Sequence, residues 1–180
     1  MKRILLITGS PGSGKTTLLS AVSETLACFH PSGFLTMEIR EGGMRKGFLL
    51  KTMDGEEMVL AHSTMASRYR VGRYGVDIAG FDCFLKKTFP GSAEVNVFII
   101  DEIGKMECLS AYFRGRLSEI FQMPVPVIAT ISLKGDEFIE TVKKRDDVQL
   151  LYLTPGNRDI IRQKVLASAF EMVSGEYRPS

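Results

Sequence analysis

The stretch ITGSPGSGKTT, residues 7–17, decides the fold. It fits the spacing G-x-x-x-x-G-K-[ST] with Gly9, Gly14, Lys15 and Thr16, and it lies between a run suited to a buried strand, residues 3–8, and one suited to a helix, residues 14–28. That context carries more weight than the pattern. Glycines at this spacing let a loop fold tightly, so that backbone N–H groups and the helix N-terminus converge on a polyphosphate. The expected nucleotide-binding loop is Gly9, Ser10, Pro11, Gly12, Ser13, Gly14, Lys15, Thr16 and Thr17. Lys15 then reaches the β and γ phosphates, and the Thr16 hydroxyl ligates Mg²⁺. A glycine-rich turn that binds nothing is the weaker reading, because strand, motif and helix agree.

Outward from the loop, Leu18, Leu19, Val22 and Leu26 recur at helical spacing and mark one buried face. Further strands are expected at 34–40, 95–100, 125–130 and 148–153, and helices at about 77–87, 110–122, 137–144 and 159–173. This alternation predicts an α/β protein with a mostly parallel sheet. Residues 44–62 break it: two extended runs flank Asp54-Gly55, the preferred chemistry of a two-residue hairpin turn, which predicts an antiparallel hairpin continuing the sheet edge. A single domain over 1–180 is expected, with a hairpin and loop insertion at about 42–76.

Composition excludes several classes. With 180 residues, 44% of them hydrophobic, and 23 basic against 21 acidic side chains, the chain is near neutral and poorly suited to coating nucleic acid. Cys28, Cys83 and Cys108 form no C-x-x-C pair, so neither a zinc site nor a disulfide framework is signalled, and a reducing cytoplasm is expected. The thiols and the methionines are expected to fill the core. The opening MKRILLITG is too short in its apolar part for a signal peptide, and no apolar run is long enough to cross a bilayer.

FIIDEIGKME, residues 98–107, holds two overlapping motifs. Asp101-x-x-Gly104 has the spacing of a GTP-dependent switch, whereas Asp101-Glu102 after an apolar strand is the pair of a triphosphate hydrolase. A guanine-reading N-K-x-D is missing, the nearest candidate being TPGNRD at 154–159, so the hydrolase reading is the stronger. Asp101 would stand at the tip of the strand as a metal ligand, and Glu102 would polarise a water lined up on the γ phosphate. VIATIS, residues 127–132, would put Thr130 or Ser132 at the same sheet edge if its strand lies between the first strand and that of Asp101; an ordinary strand-end threonine is an equally good reading.

Together GSPGSGKTT, GFLTMEIREGGMRKGF, VGRYGVD, FIIDEIGKMECLS, VIATI and TPGNRD resemble the small P-loop nucleoside triphosphatases of archaea, bacteria and animals, the thermophilic or cancer-related type, over nearly the whole chain. Ser10, Ser13 and Cys108 depart slightly from that pattern. The resemblance implies a RecA-like sheet, Mg²⁺-dependent hydrolysis of ATP, GTP and other triphosphates, and loose base selectivity. It leaves Lys15, Thr16, Asp101 and Glu102 in the roles argued above. It makes Lys105 a candidate cation near the transferring phosphoryl, with a surface lysine as the alternative, and Asn157 and Arg158 candidates to flank the base, with a helix cap as the alternative. Arg45, Arg68, Arg70 and Arg73 would form either a lid or partner surface supplying an arginine, from this chain, a second copy or another protein, or a solvated basic loop. Two rival functions stay open at this point: a kinase with an acceptor near 42–82, and a regulatory module with negligible turnover.

Overall fold

The computed structural model describes residues 2–89 and 95–175. Among them, nine strands form one sheet in the order β5-β6-β4-β3-β2-β7-β8-β1-β9. In chain order these are β1 (Ile4–Thr8), β2 (Ser32–Glu41), β3 (Met44–Thr52), β4 (Glu57–His62), β5 (Arg70–Val71), β6 (Tyr74–Val76), β7 (Phe98–Ile103), β8 (Val127–Ile131) and β9 (Val148–Tyr152). The helices are α1 (Lys15–Thr25), α2 (Ile78–Thr88), α3 (Ala111–Ile120), α4 (Glu137–Lys143) and α5 (Arg158–Ser174). From β2 to β9 neighbouring strands pair in parallel; from β2 to β5 they pair antiparallel.

Side-chain parity builds two cores. Along β1, Ile4 and Leu6 face one cluster while Leu5 and Ile7 face the other. The first cluster packs under α2, α3 and α4 through Phe81, Phe84, Phe113, Leu117 and Ile139. The second packs under α1 and α5 through Leu19, Val22, Leu26, Val165 and Ala169. The sheet's central strands are therefore apolar on both faces, the condition for a parallel sheet sandwiched between helices. Phe34 is the hub of the first core, with ring centroids 6.0 Å from both Phe81 and Phe84 and 6.3 Å from Phe113. Next to it Gly33 has φ 137°, and a Cβ there would lie 1.8 Å from the Ile99 carbonyl oxygen, so β2 and β7 meet where only glycine fits.

Parity slips once, in β7. Phe98, Ile100 and Ile103 all face the first core, which a regular strand cannot do, and the register against β8 shifts between Ile100 and Ile103. Asp101 and Glu102 occupy this bulge, a feature that re-aims side chains next to sites. The strand consequently runs to Ile103, held by Ser132 N–H on its carbonyl at 3.1 Å, and not over 95–100 as the apolar run suggests; Val97 is buried yet precedes the ladder.

The expected hairpin is present as β3 and β4, but Asp54-Gly55 is not a two-residue turn. Thr52 N–H bonds the Glu56 carbonyl at 2.8 Å and the Thr52 hydroxyl accepts from Glu56 N–H at 2.8 Å, closing a three-residue loop of Met53, Asp54 and Gly55. The two-residue turn is Gly42-Gly43, at φ 56° and 79°, joining β2 to β3. Cys28 and Cys83 are exposed, and Met37 and Met44 are about half exposed, so of the residues expected to fill the core these four do not. Two of them sit on the open face of the antiparallel strands, where a sheet needs only one buried side. No helix among the described residues is long and apolar enough to cross a membrane. The extremes of the expected domain, Met1 and 176–180, lie outside the described residues.

Candidate active site

The loop between β1 and α1 turns through two left-handed glycines, Gly12 at φ 76° and Gly14 at φ 101°. Its start is fixed against the β9–α5 connection: a Cβ on Gly9 would lie 2.3 Å from the Leu153 carbonyl oxygen, and Leu153 N–H bonds the Thr8 carbonyl at 2.7 Å. Helix α1 begins with no side-chain cap and no acidic residue in its first turn. Its first N–H groups are thus left for an anion, with the positive end of the helix behind them. The Thr8 and Ser13 hydroxyls are buried in this cradle without a hydrogen-bond partner among the described residues. Lys15 Nζ lies over the loop, donating to the carbonyls of Gly9 at 3.1 Å and Ser10 at 3.4 Å.

From the other side, Arg158 at the start of α5 clamps the loop, with Nε on the Ser13 carbonyl at 2.8 Å and a terminal nitrogen on the Gly12 carbonyl at 3.1 Å. A cavity of about 360 Å³ opens here, lined by Gly12, Gly14, Thr17, Leu153, Arg158 and Arg162 among others. Asn157 has both ends of its amide in use: Oδ1 accepts from Thr154 N–H at 2.8 Å and Nδ2 donates to the Tyr152 carbonyl at 2.9 Å. Its side chain closes the short 3-10 turn at 155–157 in a capping box with Thr154, and it gives α5 no side-chain cap bond.

The acidic side of the site comes from β7 and its neighbours. Asp101 is 1% exposed and accepts hydrogen bonds from the Thr130 hydroxyl at 2.5 Å and the Thr36 N–H at 3.3 Å, and the Thr16 hydroxyl faces it closely enough to favour its charged form. The loop and the strand-end acid are thereby in contact. β8 does lie between β7 and β1, which is why Thr130 reaches Asp101. One residue on, Ser132 Oγ donates to Glu102 Oε1 at 2.8 Å. Burial pushes the Asp101 carboxyl above the usual carboxylate range, and the Glu102 charge adds to this, against the pull of Thr130, Thr16 and the Thr36 N–H. A desolvated carboxyl beside a threonine hydroxyl, both hard oxygen donors, fits a small divalent cation that takes its remaining ligands from water and phosphate. Lys105 lies exposed in the turn after β7 and makes no hydrogen bond or ion pair among the described residues.

Two residues of this cluster escape a reading of the sequence. Thr36 holds Asp101 through its N–H and, by its hydroxyl, the Asp101 carbonyl; its signal is a polar residue at the inward phase of the β2 alternation set by Phe34. Glu107 is 6% exposed, and its carboxyl is pushed up to about 8 by burial first and the Glu102 charge second. Its signal is an acid set between Met106 and Cys108. The four arginines of the antiparallel strands are tied to each other and to their neighbours: Arg45 pairs with Glu38 at 2.5 Å, Arg73 donates to the Arg45 carbonyl, Arg70 donates to the Arg73 carbonyl at 2.7 Å, and Arg68 stacks on Tyr69.

The chain is similar to known proteins along nearly its whole length. A family model described as NTPase matches residues 4–166. A nucleoside-triphosphatase THEP1 from Thermotoga petrophila is 44% identical over 163 residues, covering 90% of each chain. Among solved structures, the crystal structure of THEP1 from Aquifex aeolicus has a TM-score of 0.79 at 33% identity, covering 92% of this chain and 98% of its own. The solution structure of a human cancer-related nucleoside triphosphatase has a TM-score of 0.78 at 30% identity, covering 98% of this chain and 100% of its own. With a family model matching residues 4–166 and relatives similar along nearly its whole length, the chain belongs to this P-loop nucleoside-triphosphatase family.

Proposed function

We propose that the protein hydrolyses nucleoside 5'-triphosphates to the diphosphate and phosphate in a Mg²⁺-dependent reaction, as a single-domain enzyme of the cytoplasm. The observation that carries this reading is the contact of Thr16 with Asp101 directly beside Glu102, at the mouth of a loop whose helix offers uncapped N–H groups. Three free cysteines accord with a reducing compartment.

The residues divide the work. The loop N–H groups take the phosphate oxygens, and Lys15 exchanges two carbonyl contacts for the β and γ phosphates, a gain of charge-assisted bonds over neutral ones. Thr16 and Asp101 would hold Mg²⁺, which supplies neutralisation of the β and γ oxygens. Glu102, oriented by Ser132, accepts a proton from the attacking water; water oxygen bonds to the γ phosphorus, the bridging bond breaks, and the diphosphate leaves. Lys105, without a protein partner among the described residues, is the cation at hand for the transferring phosphoryl. Base selectivity is broad in this reading, because the Asn157 amide is spent on backbone groups and the cavity beside the loop offers Arg158 and Arg162, which contact any base face.

The test is product analysis with ATP, GTP, CTP and UTP in turn, with Mg²⁺ and no added acceptor. Diphosphate and free phosphate from all four are expected. Turnover that begins only when an alcohol or nucleotide acceptor is supplied would make the protein a kinase, and tight binding without turnover would make it a regulatory module.

A further inference from the structure

We propose that Glu107 is a positioning residue for Glu102: its buried carboxyl closes the turn after β7 and fixes the backbone that carries Glu102 and Lys105. The inference rests on the assignment of Glu102 as the proton acceptor and goes beyond it.

The turn is tied at several points. The Glu107 carboxyl lies against the backbone of Gly104 and faces the N–H groups of Gly104 and of its own residue, the Cys108 N–H bonds the Gly104 carbonyl at 3.0 Å, and the Ser110 N–H bonds the Glu107 carbonyl at 3.0 Å. On the β8 side, Ser132 binds Ile103 through its backbone and Glu102 through its hydroxyl. The packing is close enough that a Cβ on Gly104 would lie 2.8 Å from Glu107 Oε2 and 3.2 Å from Ser132 Oγ. Glycine at 104 is thus explained by the carboxyl lying against it, with no need of a switch motif. Glu107 makes no ion pair among the described residues although it is buried, an expensive choice for a residue that merely fills space.

The charges around it give the clasp a signature. Glu102 and Asp101 face it from β7; Cys108 adjoins it, with Asp136 before α4 and Arg114 of α3 lying toward Cys108. Burial and the two carboxylates keep Glu107 protonated up to about 8. Above that it ionises beside Glu102, and a buried charge facing two carboxylates draws in water and loosens the turn. A residue acting only through stability would leave the rate per folded molecule untouched.

The experiment measures steady-state hydrolysis with Mg²⁺ from about pH 6 to about pH 9.5 in the parent, Glu107→Gln, Glu107→Ala and Glu102→Gln. Gln keeps the N–H acceptor without the charge, so kcat within about threefold of the parent is expected, together with loss of the parent's decline above about pH 8. Ala removes the clasp, and kcat should fall by roughly 10- to 100-fold with KM within about threefold, the pattern of a displaced reacting group. A folded Glu107→Ala protein with parental kcat would overturn the proposal, as would an alkaline decline shared by the parent and Glu107→Gln, which decides the matter even if the alanine variant does not fold. Undiminished turnover in Glu102→Gln is a separate result, which removes the proton acceptor on which the inference depends.

Discussion

The two halves of the sheet bury themselves differently. In the parallel half, β1 and β8 are buried at every position, with α1 and α5 on one face and α2, α3 and α4 on the other. In the antiparallel half, β3 and β4 mix buried and open positions; Leu50, Leu60 and Ala61 pack with the α2 residues, while Met37, Met44 and Val59 meet solvent. Polar groups follow the same division. Those of the parallel half, Asp101, Thr130, Ser13 and Glu107, are buried and cluster at the site, whereas the arginines of the antiparallel half form ion pairs and ring contacts at the surface. The difference teaches that a strand held on both faces can place an acid to within a hydrogen bond, whereas a strand held on one face displays its charges to whatever approaches.

Four substitutions probe this contrast, in descending size. Phe34→Ala strikes the strand shared by both halves and empties an aromatic hub; a loss of about 3–5 kcal/mol in a denaturant titration is expected, and a loss below 1 would show that the halves are held independently. Lys15→Ala should reduce kcat by roughly 10²–10³-fold while leaving stability within about 0.5 kcal/mol, since its present partners are two carbonyls at the surface of the loop.

The third is a pH effect. Glu107 has its carboxyl raised from 4.5 to about 8 by folding, so the stability it permits is fully present below 4.5 and is lost as pH rises toward about 8. Glu107→Gln should therefore gain stability over the parent progressively between those values and hold a constant advantage above them; melting curves in a pH series would show a widening gap, and a constant gap would place the charge elsewhere. Smallest is Arg73→Ala, which removes contacts to the Arg45 carbonyl and Tyr74 on an exposed face. Stability within about 0.5 kcal/mol and turnover within about twofold are expected. A tenfold drop in turnover would instead bring the antiparallel half into the site.

The parallel half was also the legible one. ITGSPGSGKTT announced strand, cradle and helix together because each residue type there answers a local demand of the backbone, and Leu18, Leu19, Val22 and Leu26 are buried as their spacing implies. The strand ends were less legible. β7 runs three residues past its expected limit, because a bulge at Asp101-Glu102 interrupts the alternation that a period-two reading follows. Asp54-Gly55 and Gly42-Gly43 offer similar turn chemistry, and only the pairing of β2 with β3 gives the tight turn to the second. Thr36 and Glu107 carry signals that single positions cannot decide: Thr36 is a polar residue at an inward phase of β2, Glu107 an acid in the short helical turn after β7, and the use of each depends on which elements become its neighbours. Asn157 shows the reverse, a residue type suited to two tasks whose amide closes the turn at 155–157 and leaves α5 without a side-chain cap.

The most direct test of the account is a paired measurement on Glu102→Gln: triphosphate affinity with Mg²⁺, and phosphate release in a single turnover. In the proposed mechanism Glu102, held by Ser132, would accept the water proton, and it is not among the groups assigned to hold the nucleotide. Affinity within about threefold of the parent with release slowed by at least about 10²-fold is the predicted result. Release at the parental rate would contradict it.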